Sequence, residues 1–127
     1  MLKLLVISLG GAIGAGARYL LSNWALALFG PAFPYGTLAV NALGSFAICG
    51  VMHLGVTASL ISPTVRLFLT TGLLGGLTTY SAFDYETFHY AQAGAYGLAI
   101  LNVALMLAIC FAAGAAGDGL AKVLVRS

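Results

Sequence analysis

Two threonines, a serine and two aromatic rings follow a glycine pair in the run Gly75-Gly76-Leu77-Thr78-Thr79-Tyr80-Ser81-Ala82-Phe83, inside a stretch otherwise apolar enough to sit in lipid. These residue types suit ion handling rather than bond-making. Glycines and hydroxyl residues at membrane depth predict an interrupted helix, and an interruption leaves backbone N–H and C=O groups that hydrocarbon cannot satisfy. It persists only where it is buried in protein, lines a water-filled cavity or binds an ion. Carbonyls freed between Gly75 and Thr78 would suit a hard cation. Beyond the break, Tyr80 and Phe83 stand three apart and share a helix face, with Thr79 and Ser81 beside them. Two aromatics at that spacing also serve as ordinary packing. An aromatic ring, however, has a positive edge. Ring edges, hydroxyls and an amide such as that of Asn41, whose NH₂ carries two donors, could together replace water around a small hard anion.

The remaining polar residues are few. Arg18 lies on the same stripe as Gly10 and Gly14, roughly 21 Å along its helix from Leu4. Two roles fit it: snorkelling to the far interface, or an electropositive lining for an aqueous vestibule that would attract anions. Asn41 could equally bond to another helix, and Asn102 repeats that puzzle. His53 stands alone in its apolar stretch and reads as packed and neutral. Cys49 and Cys110 fall in apolar stretches with no CxxC or Cys/His spacing, and read as buried, reduced and inert. The only acids are Asp84, Glu86 and Asp118. There is no Ser/His/Asp or Cys/His arrangement, no phosphate loop and no metal-ligand cluster, so no residue pattern supports an enzyme.

The elements that must position these groups are transmembrane helices. The chain is 61% hydrophobic and 6% charged, against about a quarter charged in soluble domains, so it cannot cover itself with a solvated surface. A net charge of +2, scattered along the chain, excludes a nucleic-acid partner. Lys3, the apolar run after it and Ala15-Gly16-Ala17 imitate a signal peptide. The rest is equally hydrophobic, so this segment reads as a retained helix. A spanning helix needs about 20 mostly apolar residues. Four segments reach that length: about 4–29, 35–60, 64–93 with its interruption near Gly75-Gly76, and 95–124. The whole chain, 1–127, is thus one all-α integral membrane domain. Ser62-Pro63 is a helix-start signal. Short loops make neighbouring helices antiparallel.

Seventeen glycines recur in small-xxx-small patterns such as Gly10/Gly14 and Gly114/Gly117 with flanking alanines, which let helices approach closely. Four thin helices enclose little interior, which predicts an oligomer. Trp24, Phe29, Phe33 and Tyr35 cluster at one loop, and Tyr85, Phe88, Tyr90 and Tyr96 at another on the same side, as in an interfacial belt. Lys3, Arg66, Lys122 and Arg126 fall on the opposite side. Taken alone, that bias favours a cytoplasmic amino terminus.

Three pieces, in order, resemble the CrcB/Fluc family of fluoride channels. They are Gly10-Gly11-Ala12-Ile13-Gly14-Ala15 with Arg18-Tyr19, then Gly36-Thr37-Leu38-Ala39-Val40-Asn41 with Gly44-Ser45-Phe46, and then Gly72 through Glu86. The resemblance covers essentially the whole chain. It implies an antiparallel, dual-topology homodimer in a bacterial cytoplasmic membrane, with two fluoride pores and a central sodium ion. The sodium ligands it implies are main-chain carbonyls of Gly75 and Thr78 from both subunits. Fluoride would pass Asn41, Tyr80 and Phe83, with Ser81 and Thr79 close by, and Arg18 would stand in the vestibule. The implied role is passive export of fluoride that enters acidified cells as HF. Tyr80 stands where the family usually carries phenylalanine, and Met106 where it often carries a polar residue.

Two other readings compete. A small multidrug exporter of similar length would need a membrane carboxylate to exchange a lipophilic cation for protons, and helices one and two contain no acid. A non-transporting membrane subunit would only pack against partners.

Overall fold

An uninterrupted apolar run without proline forms α1 (Leu2–Phe29), and Gly30, at φ +77°, ends it. The computed structural model describes all residues, Met1–Ser127, and is helical throughout apart from short connections. After the turn, α2 (Tyr35–Met52) runs back and continues as a π-helical segment, His53–Thr57. Pro63 opens α3 (Pro63–Leu67), with the Ser62 hydroxyl accepting from the Val65 N–H at 3.3 Å. This is the N-cap that Ser62-Pro63 predicts. A π-helical segment, Phe68–Leu74, leads into the single turn α4 (Gly75–Leu77). The chain then breaks and resumes as α5 (Tyr80–Gln92). Gly94, at φ +76°, turns it into α6 (Tyr96–Arg126).

Three helices are long and apolar enough to cross a membrane: Leu2–Phe29, Tyr35–Thr57 and Tyr96–Arg126. The third passage covers its length in pieces. The second ends at Thr57, short of the expected residue 60. The interruption of the third lies later than the glycine pair suggests. Gly75 is helical, at φ −62° and ψ −37°, whereas Thr78 and Thr79 are extended. Glycine flexibility therefore does not set the break; the partners of Thr79 do.

The four passages form two close parallel pairs. In the first, α1 meets the third passage backbone to backbone. A Cβ at Gly10 would stand 2.8 Å from Phe68 O, and one at Gly76 would stand 2.5 Å from Gly11 O. Two small-xxx-small motifs thus cross, Gly10/Gly14 on α1 and Gly72/Gly76 on the third passage. In the second pair α2 and α6 keep one register. Asn41 contacts Met106, and His53 contacts Asp118, each pair 65 residues apart. Cys49 lies over Gly114 with the same offset. Val40, Leu74 and Leu77 form the small core between the pairs, with Ala17, Leu21 and Ala47 around it. Only 19 of 127 residues are buried, which leaves the outer surface as apolar as a lipid-facing wall must be. This is a multi-pass helical membrane protein.

Candidate functional site

Thr78 and Thr79, at ψ 156° and 122°, pull the backbone out of the helix. Asn41 of α2 closes the gap. Its Oδ1 accepts the Thr79 N–H at 2.8 Å and its Nδ2 donates to the Thr79 carbonyl at 2.9 Å. One side-chain amide thereby satisfies both backbone groups of the residue at the break. The break diverts helical donors, and two of the diversions are visible in side-chain hydrogen bonds. The Thr79 N–H, which a continuous helix would give to Gly75 O, goes to Asn41. The Ala82 N–H, which would go to Thr78 O, goes instead to Thr79 Oγ1 at 3.2 Å. That bond makes Thr79 the N-cap of α5. The Ser81 hydroxyl lies 3.4 Å from the same Thr79 oxygen.

Tyr80 and Phe83 share the first turn of α5, with ring centroids 5.6 Å apart and planes at 70°. Phe83 is buried, while Tyr80 is 77% exposed. Both rings face an open groove of about 750 Å³ that runs from the break along the α2–α6 seam. Asn41, Thr79, Gly75 and Thr78 also line it, so six of the pathway and cation residues expected from sequence meet in one place. Arg18 does not line the groove. Ser81 reaches the groove's residues only through Thr79. The second hydrogen of the Asn41 amide is directed at Met106 Sδ, 3.4 Å away, a weak acceptor.

The family described as "CrcB-like protein, Camphor Resistance (CrcB)" matches residues 5–118 of this chain. The chain belongs to that family. Similar chains include the fluoride-specific ion channel FluC of Sorangium cellulosum (strain So ce56), 45% identical over 119 residues that cover 94% of each chain. The fluoride-specific ion channel FluC of Anaeromyxobacter dehalogenans (strain 2CP-1 / ATCC BAA-258) is 46% identical over 126 residues, 99% of this chain and 97% of its own. The corresponding protein of Geobacter metallireducens is 46% identical over 112 residues, 88% and 90% of the two chains.

Several side chains of this CrcB-family member do things that their sequence neighbourhoods hide. Asn102 is among the most buried residues, at 1% exposed. It lies outside the groove and donates to Thr87 Oγ1 at 2.9 Å, and Thr87 in turn donates to the Phe83 carbonyl at 2.8 Å. It therefore braces the turn that carries Phe83. His53 is not a solitary packed histidine. Its Nδ1 lies 2.9 Å from Asp118 Oδ1, and Lys122 Nζ lies 2.6 Å from Asp118 Oδ2. At the other end of α2, Thr37 donates to Glu86 Oε1 at 2.5 Å beside a separate cavity of about 200 Å³. Both cysteines are free, but they are only partly buried rather than buried, and both line the groove. For the α2–α6 pairings alone, the spacing of Asn41, Cys49 and His53, in multiples of four, matches that of Met106, Gly114 and Asp118, and the match becomes readable only once the two helices are known to be parallel neighbours.

Proposed function

We propose that this chain is a fluoride channel that lets fluoride leave bacterial cells passively across the cytoplasmic membrane. The relatives named above as fluoride-specific ion channels support that reading over nearly their full length. The observation that carries it is the break held open by Asn41 beside the Tyr80 and Phe83 rings. Fluoride is small and strongly hydrated, so a route through lipid must replace its water with hydrogen-bond donors. Asn41 Nδ2, the Thr79 and Ser81 hydroxyls and the two ring edges offer that set. A thioether holds the free amide hydrogen weakly enough for an anion to take it. Asp118 lines the far groove, but Lys122 and His53 flank its carboxylate, so a passing anion does not meet a bare negative charge. The same pairing disfavours an exporter of lipophilic cations, which needs a carboxylate free to exchange its ligand.

The finer parts of the proposal are an antiparallel, dual-topology homodimer, two fluoride routes, and a structural sodium ion between the copies. The Gly75 and Thr78 carbonyls fit a hard cation because the break diverts their helical donors elsewhere, and oxygen donors suit such ions. Two copies facing each other would bring four such carbonyls together, mutually repulsive unless a cation sits among them. Arg18 would draw anions to the vestibule.

Purified protein in liposomes tests the main claim with a fluoride electrode. Fluoride efflux is expected to exceed chloride efflux by at least about two orders of magnitude, the span that separates selective from leaky routes when donors fit one ion (about 2.7 kcal/mol). Equal rates for the two anions would reject the reading. Replacing sodium by a bulky organic cation is expected to lower efflux and shift the size-exclusion peak toward monomer. An unchanged peak and rate would remove the sodium from the proposal.

A further inference from the structure

The sulfur atoms of the groove wall have a geometry that fluoride passage does not require. Cys110 Sγ lies 3.6 Å from Met106 Sδ, one turn away on α6. A further turn on, Gly114 has no side chain, and Cys49 Sγ from α2 occupies that space, where a Cβ at Gly114 would stand 3.0 Å from it. All three sulfur residues line the groove, and neither cysteine is in a disulfide. Two sulfurs on α6 thus stand within one turn of each other, with a third on α2 across the groove. No three His, Cys, Asp or Glu side chains gather anywhere in the chain, so no side-chain cluster of those types competes for the metal.

Thiolate and thioether ligands together select soft cations. With metal–sulfur bonds of about 2.3 Å, the 3.6 Å separation of Cys110 and Met106 corresponds to an angle of about 100° at the metal. The two sulfurs are thus close enough to share one metal ion.

We propose that Cys110 Sγ and Met106 Sδ bind a soft monovalent cation of the Cu(I)/Ag(I) class, and that its occupation obstructs the groove. Binding forms a metal–sulfur bond at Cys110 and releases the thiol proton to solvent, with no change of oxidation state. Only the obstruction rests on the fluoride-channel reading; the binding site does not.

Silver nitrate in chloride-free buffer is the probe. Native mass spectrometry of the purified protein is expected to show one silver ion per chain with one proton lost. Fluoride efflux from liposomes should fall at least tenfold and recover when excess dithiothreitol strips the metal. Cys110→Ser is expected to weaken silver binding by at least about a hundredfold, and Met106→Leu by at least about tenfold, since losing even a group that only orients a ligand costs about 10–100-fold. In each variant the comparison is its own efflux with and without silver. Unchanged silver affinity in Cys110→Ser overturns the site. Should that variant not assemble, maleimide labelling of Cys110 in the unmodified protein decides: silver should protect it, and equal labelling with and without silver overturns the proposal. A chain that binds silver through Cys110 but carries no fluoride retains the site and loses the channel; a conducting chain indifferent to silver does the reverse.

Discussion

Asn41→Ala should reduce fluoride efflux by about a hundredfold or more, with most of the protein still recovered as a folded species. The side chain holds both backbone groups of Thr79, at 2.8 and 2.9 Å. Removing it leaves a buried N–H and C=O without partners, at about 1–3 kcal/mol each, and lipid supplies no water to relieve them. The cheapest relaxation is local. The Thr79 N–H can return to the Gly75 carbonyl, rewinding the helix and closing the break. The anion then loses the amide donor and the ring positions at once. Asn41→Asp should show that an acceptor alone is not enough. It keeps an acceptor for the Thr79 N–H, but it puts a carboxylate oxygen against the Thr79 carbonyl and a negative charge on the anion route, so its efflux should be equally low. Fluoride-electrode traces beside size-exclusion profiles would check this. Near-normal efflux in Asn41→Ala would mean that the anion travels elsewhere.

The second large effect concerns assembly of the chain itself. Gly14→Val should yield little or no monodisperse protein, whereas Gly16→Val should behave as the parent does. A Cβ at Gly14 would collide with the Leu73 carbonyl oxygen and stand 2.9 Å from Leu77 N, while one at Gly16 meets nothing within 4 Å. The obstructing atoms are backbone and cannot rotate aside as a side chain would. Overpacking commonly costs about 1–3 kcal/mol and sometimes more. Against a total stability of about 5–15 kcal/mol, a backbone collision at the centre of the α1 contact is hard to absorb. Helix association in lipid also depends on close van der Waals approach, with little hydrophobic driving force. Gly117→Val makes the same test on the other pair, where the obstructing atom is the Phe46 carbonyl oxygen. Gly119→Val, with open space around it, is its control. Recovery of folded Gly14→Val at parental yield would show that the helices separate at little cost.

Much of this molecule is visible in its residues because lipid makes the local rules strict. Run length alone delimits α1 and α6, Ser62-Pro63 marks the start of the third passage, and Gly30 and Gly94 end helices where a positive φ is needed. A polar cluster in an apolar run locates the break to within a turn. Its actual position at Thr78-Thr79 was not readable, because the group that fixes it, Asn41, lies 38 residues away. The Gly72/Gly76 counterpart to Gly10/Gly14 was overlooked for a related reason: a motif of small residues acquires meaning only from the helix it faces. The same holds for His53, which looks isolated until Asp118 arrives from α6, and for Asn102, which acts on Phe83 through Thr87. Contacts within one helical turn follow from the chain; contacts between passages follow from register.

That constant 65-residue offset between α2 and α6 restricts how the chain can vary. One residue inserted between Asn41 and His53 would rotate everything after it by about 100° and detach the later pairings from the earlier ones. Insertions and deletions are therefore confined to the connecting turns, or must strike both helices together. Between positions 41 and 53, and between 106 and 118, the spacing itself carries the pairing of the two helices, independently of which side chains fill it.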